Sequence, residues 1–144
     1  MKLGDYFEKK RGIGVLATAN ASGEVAIALY ARPHAAGGRT IEFIMADRLS
    51  RRNLAKNPHA AYLFVERGDG YRGRRLYLTK TGEERDSGRI DALRRTRLGA
   101  RRRSSGPRFL VSFRVDRVLP LVGPPFGGSR RAGGAGKDVH DGGR

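Results

Sequence analysis

Six apolar runs of strand length are joined by connections too short for repeated helical crossovers, which limits the chain to a mostly antiparallel sheet. The clearest run is 108–119, RFLVSFRVDRVL. In it Phe109, Val111, Phe113 and Val115 recur at every second residue and so face one way. Residues 74–82 alternate in the same manner, with Leu76 and Leu78 set against Arg75, Tyr77 and Thr79. Runs at 13–19, 24–32, 39–46 and 59–67 complete the set. The turn-forming residues Asn20 to Gly23 make the first two of these a hairpin, and 33–38 reads as a loop. The fold class that follows is mainly β: a six-stranded antiparallel sheet with two or three short helices. Such a sheet is expected to close into a small barrel, which removes its exposed edges.

The helices have their own signals. Leu3, Tyr6 and Phe7 share a face over 3–11, and Gly12 is a suitable stop. A second helix spans about 48–56 and ends at Asn57-Pro58, because proline cannot continue it. A third covers about 86–98, with Ile90 and Leu93 inward and Gly99 as its cap. Past Pro120, glycine, proline and arginine displace apolar residues. The domain is therefore expected to span 1–120, with 121–144 a disordered tail.

Composition excludes several function classes. No cysteine is present, so disulfides, thiolate catalysis and cysteine metal clusters are ruled out. His34, His59 and His140 are scattered, with no pair at i, i+4, so a metal site is not expected. GxSxG is absent, and no Ser-His-Asp arrangement stands out. Gly68, Gly70 and Gly73 match GxGxxG, but a strand rather than a helix follows them, so they do not form a dinucleotide fingerprint. Any chemistry is expected to be carried by a cofactor. No apolar run reaches the ~18 residues of a membrane span, and the N-terminus lacks a signal-peptide pattern, which points to the cytoplasm.

The net charge is +16, and arginine supplies 24 of the 30 basic residues. Such a surface binds polyanions, including nucleic acid, at least non-specifically. A GC-rich codon supply would produce the same arginine and glycine excess. Seven arginines fall between Arg94 and Arg108, with no acid from 92 to 115. That cluster lacks the interleaved aromatics of a single-strand binder, so a solvated loop is the better reading.

Charge and position coincide in one place. In IEFIMADRLSRRNLAKNPHAAYLF (41–64), an apolar strand delivers Arg48, Ser50, Arg51 and Arg52 to a helix start. Unpaired N–H groups and the helix dipole favour an anion there, and arginine adds charge-assisted bonds to phosphate. The competing reading is an arginine-rich amphipathic helix in solvent.

With these elements placed, the chain resembles the FMN-binding split-barrel family related to pyridoxamine 5′-phosphate oxidase. The resemblance covers roughly 10–119. It rests on GIGVLATANASGEV, IALYARPHAAGGRTIEFIMADR, SRRNLAKNPHAAYLF and GYRGRRLYLTKTGE, in that order. It implies a flavin-dependent oxidoreductase acting on a small substrate, as a homodimer with FMN at the interface. It also implies that Arg32, Arg48, Ser50 and Arg51 hold the phosphate and that Met45 and Ala46 lie along the flavin. Tyr71 and Arg75 would reach it from the neighbouring subunit. The family's Ser-Arg-Lys segment maps either onto Arg48, Leu49 and Ser50 or onto Ser50, Arg51 and Arg52, according to alignment. The oxidase's C-terminal Trp and Arg segment has no counterpart. Related split barrels bind haem or deazaflavin, so a non-catalytic flavin or haem carrier is the alternative, with His34 or His59 serving haem. A basic nucleic-acid-binding protein is the other. Tyr30 as a ring-stacking residue and Asn53 as a flavin contact are lesser candidates beside simple packing.

Overall fold

The computed structural model describes residues 2–93 and 106–123. The elements run α1 (Leu3–Lys9), β1 (Gly12–Ala19), β2 (Val25–Leu29), β3 (His34–Ala35), β4 (Thr40–Ala46), α2 (Leu49–Lys56), β5 (His59–Glu66), β6 (Gly73–Arg85), α3 (Gly88–Leu93) and β7 (Arg108–Pro120). All strand pairs are antiparallel, in the order β2-β1-β5-β6-β7-β4-β3. The sheet thus has seven strands rather than six. The added strand is β3, which lies in the stretch expected to be a loop. It is two residues long and exists only through its pairing with Ile41 and Glu42, so no local alternation announces it.

The strand order explains why the sheet curls. Laid flat, seven strands about 4.8 Å apart would hold the edges roughly 29 Å from one another. The edge strands β2 and β3 are consecutive in the chain, from Leu29 to His34. Five Cα steps of about 3.8 Å reach no more than ~19 Å. A flat sheet is therefore excluded, and the two edges must approach.

The inner face carries the alternation read from the sequence. Leu16, Tyr62, Phe64, Leu76, Leu78, Phe109, Val111, Phe113 and Val115 are all buried. Phe43 meets Tyr62 at 5.0 Å and Phe113 at 5.8 Å, both edge to face. α1 covers this core by setting Phe7 against Phe64 and Tyr62 at 5.4 and 6.2 Å. Each such ring contributes about 1.5–3 kcal/mol by leaving water. β6 starts one residue before the alternating run and ends three residues beyond it, with register shifts at Tyr77/Leu78 and Lys80/Gly82 that let it follow the curve. α3 starts two residues later than expected. Its expected continuation to 98, the Gly99 cap, the arginines from Arg94 to Arg103 and the tail from 124 lie outside the described residues. No described helix is long and apolar enough to cross a membrane.

Candidate functional site

β4 ends at Ala46, and the chain turns at Asp47 into α2. Arg48 is the N-cap residue in extended geometry, its N–H donating to the Ala46 carbonyl at 2.9 Å. Its side chain makes no capping bond, and the first turn of α2 holds no acidic residue. The amides there lack a carboxylate competitor for an anion. α2 lies against β1 and β2 and buries Ser50, Asn53 and Leu54, which share one face. The buried Asn53 amide donates to Thr18 Oγ1 on β1 at 3.0 Å, which fixes the helix's height over the strand.

Tyr30 leaves β2 beside this turn. Its ring packs edge to face on Phe43 at 5.8 Å, and its carbonyl accepts the Tyr62 hydroxyl at 3.0 Å. Burial pushes the Tyr30 phenol above its usual range, while a hydrogen bond with Ser50 and the charge of Arg48 pull it down. The structure thus gathers Tyr30, Arg48 and Ser50, with Ala46 adjacent. Arg48 is exposed and has no ion-pair partner among the described residues. A buried hydroxyl, an unpaired guanidinium and open helical amides can together take an oxyanion such as a phosphate.

The other arginines of the region have partners. Arg51 donates to Glu83 at 2.5 Å and to Asp47 at 3.4 Å, and its guanidinium lies 3.8 Å from the Phe109 ring centre. These contacts tie α2 to β6 and β7. The hydrogen bond from Arg51, then Lys80, holds the Glu83 carboxyl below its usual range. Arg52 bonds Asp47 at 3.4 Å, and this bond, with Arg51, lowers the Asp47 carboxyl. Arg32 donates to the Phe7 and Lys10 carbonyls at 2.7 and 2.9 Å, closing the C-terminal end of α1.

Met45 is buried in the core. Tyr71 sits on the β5–β6 connection, 81% exposed, with a φ of 51°. Arg75 lies on the outer face of β6 between Leu63 and Leu119. Its Nε donates to the Pro120 carbonyl at 2.7 Å, and its Nη2 is buried without a partner. His34 pairs in register with Glu42, and His59 with Thr79. Among the described residues, no group of three His, Asp or Glu side chains could hold a metal.

Two features escaped the sequence reading. The partnership of Tyr30 with Ser50 spans twenty residues and leaves no local pattern. The outer sheet face is the other. Val25, Ile27 and Leu29 on the edge strand β2 are 75–79% exposed, and Ile13 and Leu63 add to the same apolar surface. In register, Leu29, Val15, Leu63 and Arg75 form one row across it. That 24–32 forms a strand was legible, but which face met solvent was not.

The fold has known counterparts. An FMN-binding protein from Syntrophomonas wolfei subsp. wolfei matches with a TM-score of 0.67 at 17% identity, over 84% of each chain. An F420 reductase gives 0.61 at 16% identity, over 83% of this chain and 98% of that one. HutZ, the haem storage protein from Vibrio cholerae, gives 0.55 at 16% identity, over 83% and 94%. No protein-family model and no curated protein sequence matches the chain. The architecture is the split barrel that flavin-binding proteins share.

Proposed function

We propose that this chain is an FMN-binding flavoprotein of the pyridoxamine 5′-phosphate oxidase-like type, working in the cytoplasm as a homodimer and oxidising or reducing a small substrate. The observation that carries the reading is the start of α2, where Arg48 and Ser50 meet Tyr30 with no acid in the first helical turn. There the flavin phosphate would be bound by Arg48 and Ser50, with the α2 amides behind them. Ala46 would line the path of the ribityl chain, and Met45 would back it from the core. Arg32 and Arg51 hold α1 and α2 in place around that corner.

The outer face supplies the dimer. Three apolar side chains on an open edge strand continue into Ile13 and Leu63, the kind of surface that a second copy covers. Arg75, with its unpaired buried Nη2, and the exposed Tyr71 would then reach the flavin of the other subunit. A bound flavin supplies hydride or electron transfer. The protein's share is to bind it, orient it and keep positive charge beside it.

The anion corner at α2 suits the terminal phosphate of FMN, and it would equally accept a haem propionate, so the pigment itself decides between them. The experiment is a visible spectrum of protein purified in high salt, then reconstituted with FMN, with released pigment identified by mass. Flavin bands with about one FMN per chain support the reading. A Soret band moves the function to a haem carrier through His34 or His59. A colourless protein that takes up no FMN refutes it.

A further inference from the structure

A second basic feature lies where α1 ends beside the β5–β6 connection. A cleft of about 440 Å³ is lined there by Lys9, Lys10, Arg11, Arg67 and Arg72. Its size falls in the ~300–1,000 Å³ range of small-molecule sites. None of these five cations has an ion pair or a side-chain hydrogen bond among the described residues. Elsewhere in the molecule, Arg51, Arg52, Lys80, Arg89 and Arg114 are each paired with a carboxylate. Concentrating five unpaired cations around one concavity costs self-repulsion that an anion would relieve.

The backbone holds these charges in place. The Arg67 N–H donates to the Arg11 carbonyl at 2.7 Å, and the Glu66 N–H to the Arg72 carbonyl at 2.9 Å. β1 and β5 stay in register to Gly12 and Glu66, at the lip of the cleft. Two carboxylates line it. Glu66 accepts the Tyr6 hydroxyl at 2.5 Å, which holds it at the core side, and Asp69 sits on the turn, so the five cations still outnumber the carboxylates. The C-terminal end of α1 would itself repel an anion. Arg32 offsets this by donating to the last carbonyls.

The geometry points to this cleft as a binding site for a ligand carrying a chain of phosphates, separate in its residues from the α2 corner. Five cations against the two carboxylates, Glu66 and Asp69, leave a net positive charge that suits several closely spaced negative charges better than a single monoanion. The ligand is a free polyphosphate or the phosphate chain of a nucleotide. Both share the chemistry the cleft recognises.

The test is calorimetric titration of the full chain with inorganic tripolyphosphate at low and moderate salt, with and without saturating FMN. Binding is expected at low salt, to weaken as salt screens it, and to persist in the presence of FMN. Arg67→Glu and, separately, Arg72→Glu should each lower the affinity about tenfold or more, since a cation at contact distance becomes a repulsive charge. Lys56→Glu changes the net charge equally on α2 and should alter affinity less than about twofold. Melting curves establish that each variant is folded, and Arg72, on the exposed turn, is the safer of the two. A nucleoside triphosphate run alongside identifies the source. Equal affinity assigns the site to the phosphate chain alone, and tighter binding assigns it to a nucleotide. No binding at low salt, an equal loss in Lys56→Glu, or displacement by FMN would overturn the proposal.

Discussion

Gly14 is the position at which a single added carbon should do the most damage. A Cβ built there would stand 1.9 Å from the Tyr62 hydroxyl, 2.4 Å from its ring carbon and 2.7 Å from the Tyr30 carbonyl. Tyr62 is 1% exposed and donates to the Tyr30 and Ala31 carbonyls at 3.0 and 3.3 Å. Gly14→Ala must therefore push the ring aside. The single O–H shared between those two carbonyls is lost, at about 1 kcal/mol. Forcing a side chain into a filled core adds about 1–3 kcal/mol. The sum is about 2–4 kcal/mol, read as a shift in the midpoint of urea unfolding. Tyr62→Phe removes the closest atom, so the two changes should couple. The double variant is expected to fall short of the summed single costs by about 1 kcal/mol or more. A Gly14→Ala cost below about 1 kcal/mol, or strict additivity with Tyr62→Phe, would refute the account. Because Tyr62 fixes the Tyr30 carbonyl, Gly14→Ala should also loosen the corner where Tyr30 meets Ser50.

Other outcomes are open to measurement. Arg48→Ala and Ser50→Ala should each weaken FMN binding about tenfold or more, since a charge-assisted bond is worth about 1.5–3 kcal/mol; unchanged flavin affinity by fluorescence titration would remove both from the phosphate site. Ile27→Asp sets a charge in the middle of the exposed β2 face and should convert a dimer to monomers in light scattering, while an unaltered dimer would place the interface elsewhere. Glu83 has a carboxyl pKa held below its ordinary 4.5 by Arg51, so its contribution is present above that value and lost as pH falls through the lowered one. Acid unfolding followed by circular dichroism should be shallower in Glu83→Gln, and an identical acid profile in the two proteins would dismiss the Arg51 pin.

The inward alternation of Phe109, Val111, Phe113 and Val115 was legible because a half-buried strand writes its period directly into the sequence. The end of α2 was legible because Pro58 forbids continuation. β3 was not, since two residues carry no period and the strand is defined by its partner. The apolar outer face of β2 stayed hidden because 24–32 is apolar almost throughout, which does not say which face is covered. At the candidate site, charge and position drew attention to Arg48 and Ser50, and the structure brings both to one corner with Tyr30. Arg32 and Arg51 looked equivalent to Arg48 by charge. Their guanidinium groups instead meet the α1 carbonyls and Glu83, partners 22 to 32 residues away that no local pattern could announce.

The link between β2 and β3 acts as a length standard for the whole sheet. Four residues, Tyr30 to Pro33, set how far the two edges can part. Lengthening it would cost little loop entropy, about 0.6 kcal/mol for each doubling. It would nonetheless remove the tether that forbids flattening, and curvature would then depend on core packing alone. Such a chain could keep its strand pairs and its buried rings while Tyr30 drifted from Ser50. A barrel whose proposed ligand corner depends on one short link can thus lose the corner before it loses the fold, and insertions there would separate the proposed binding from stability.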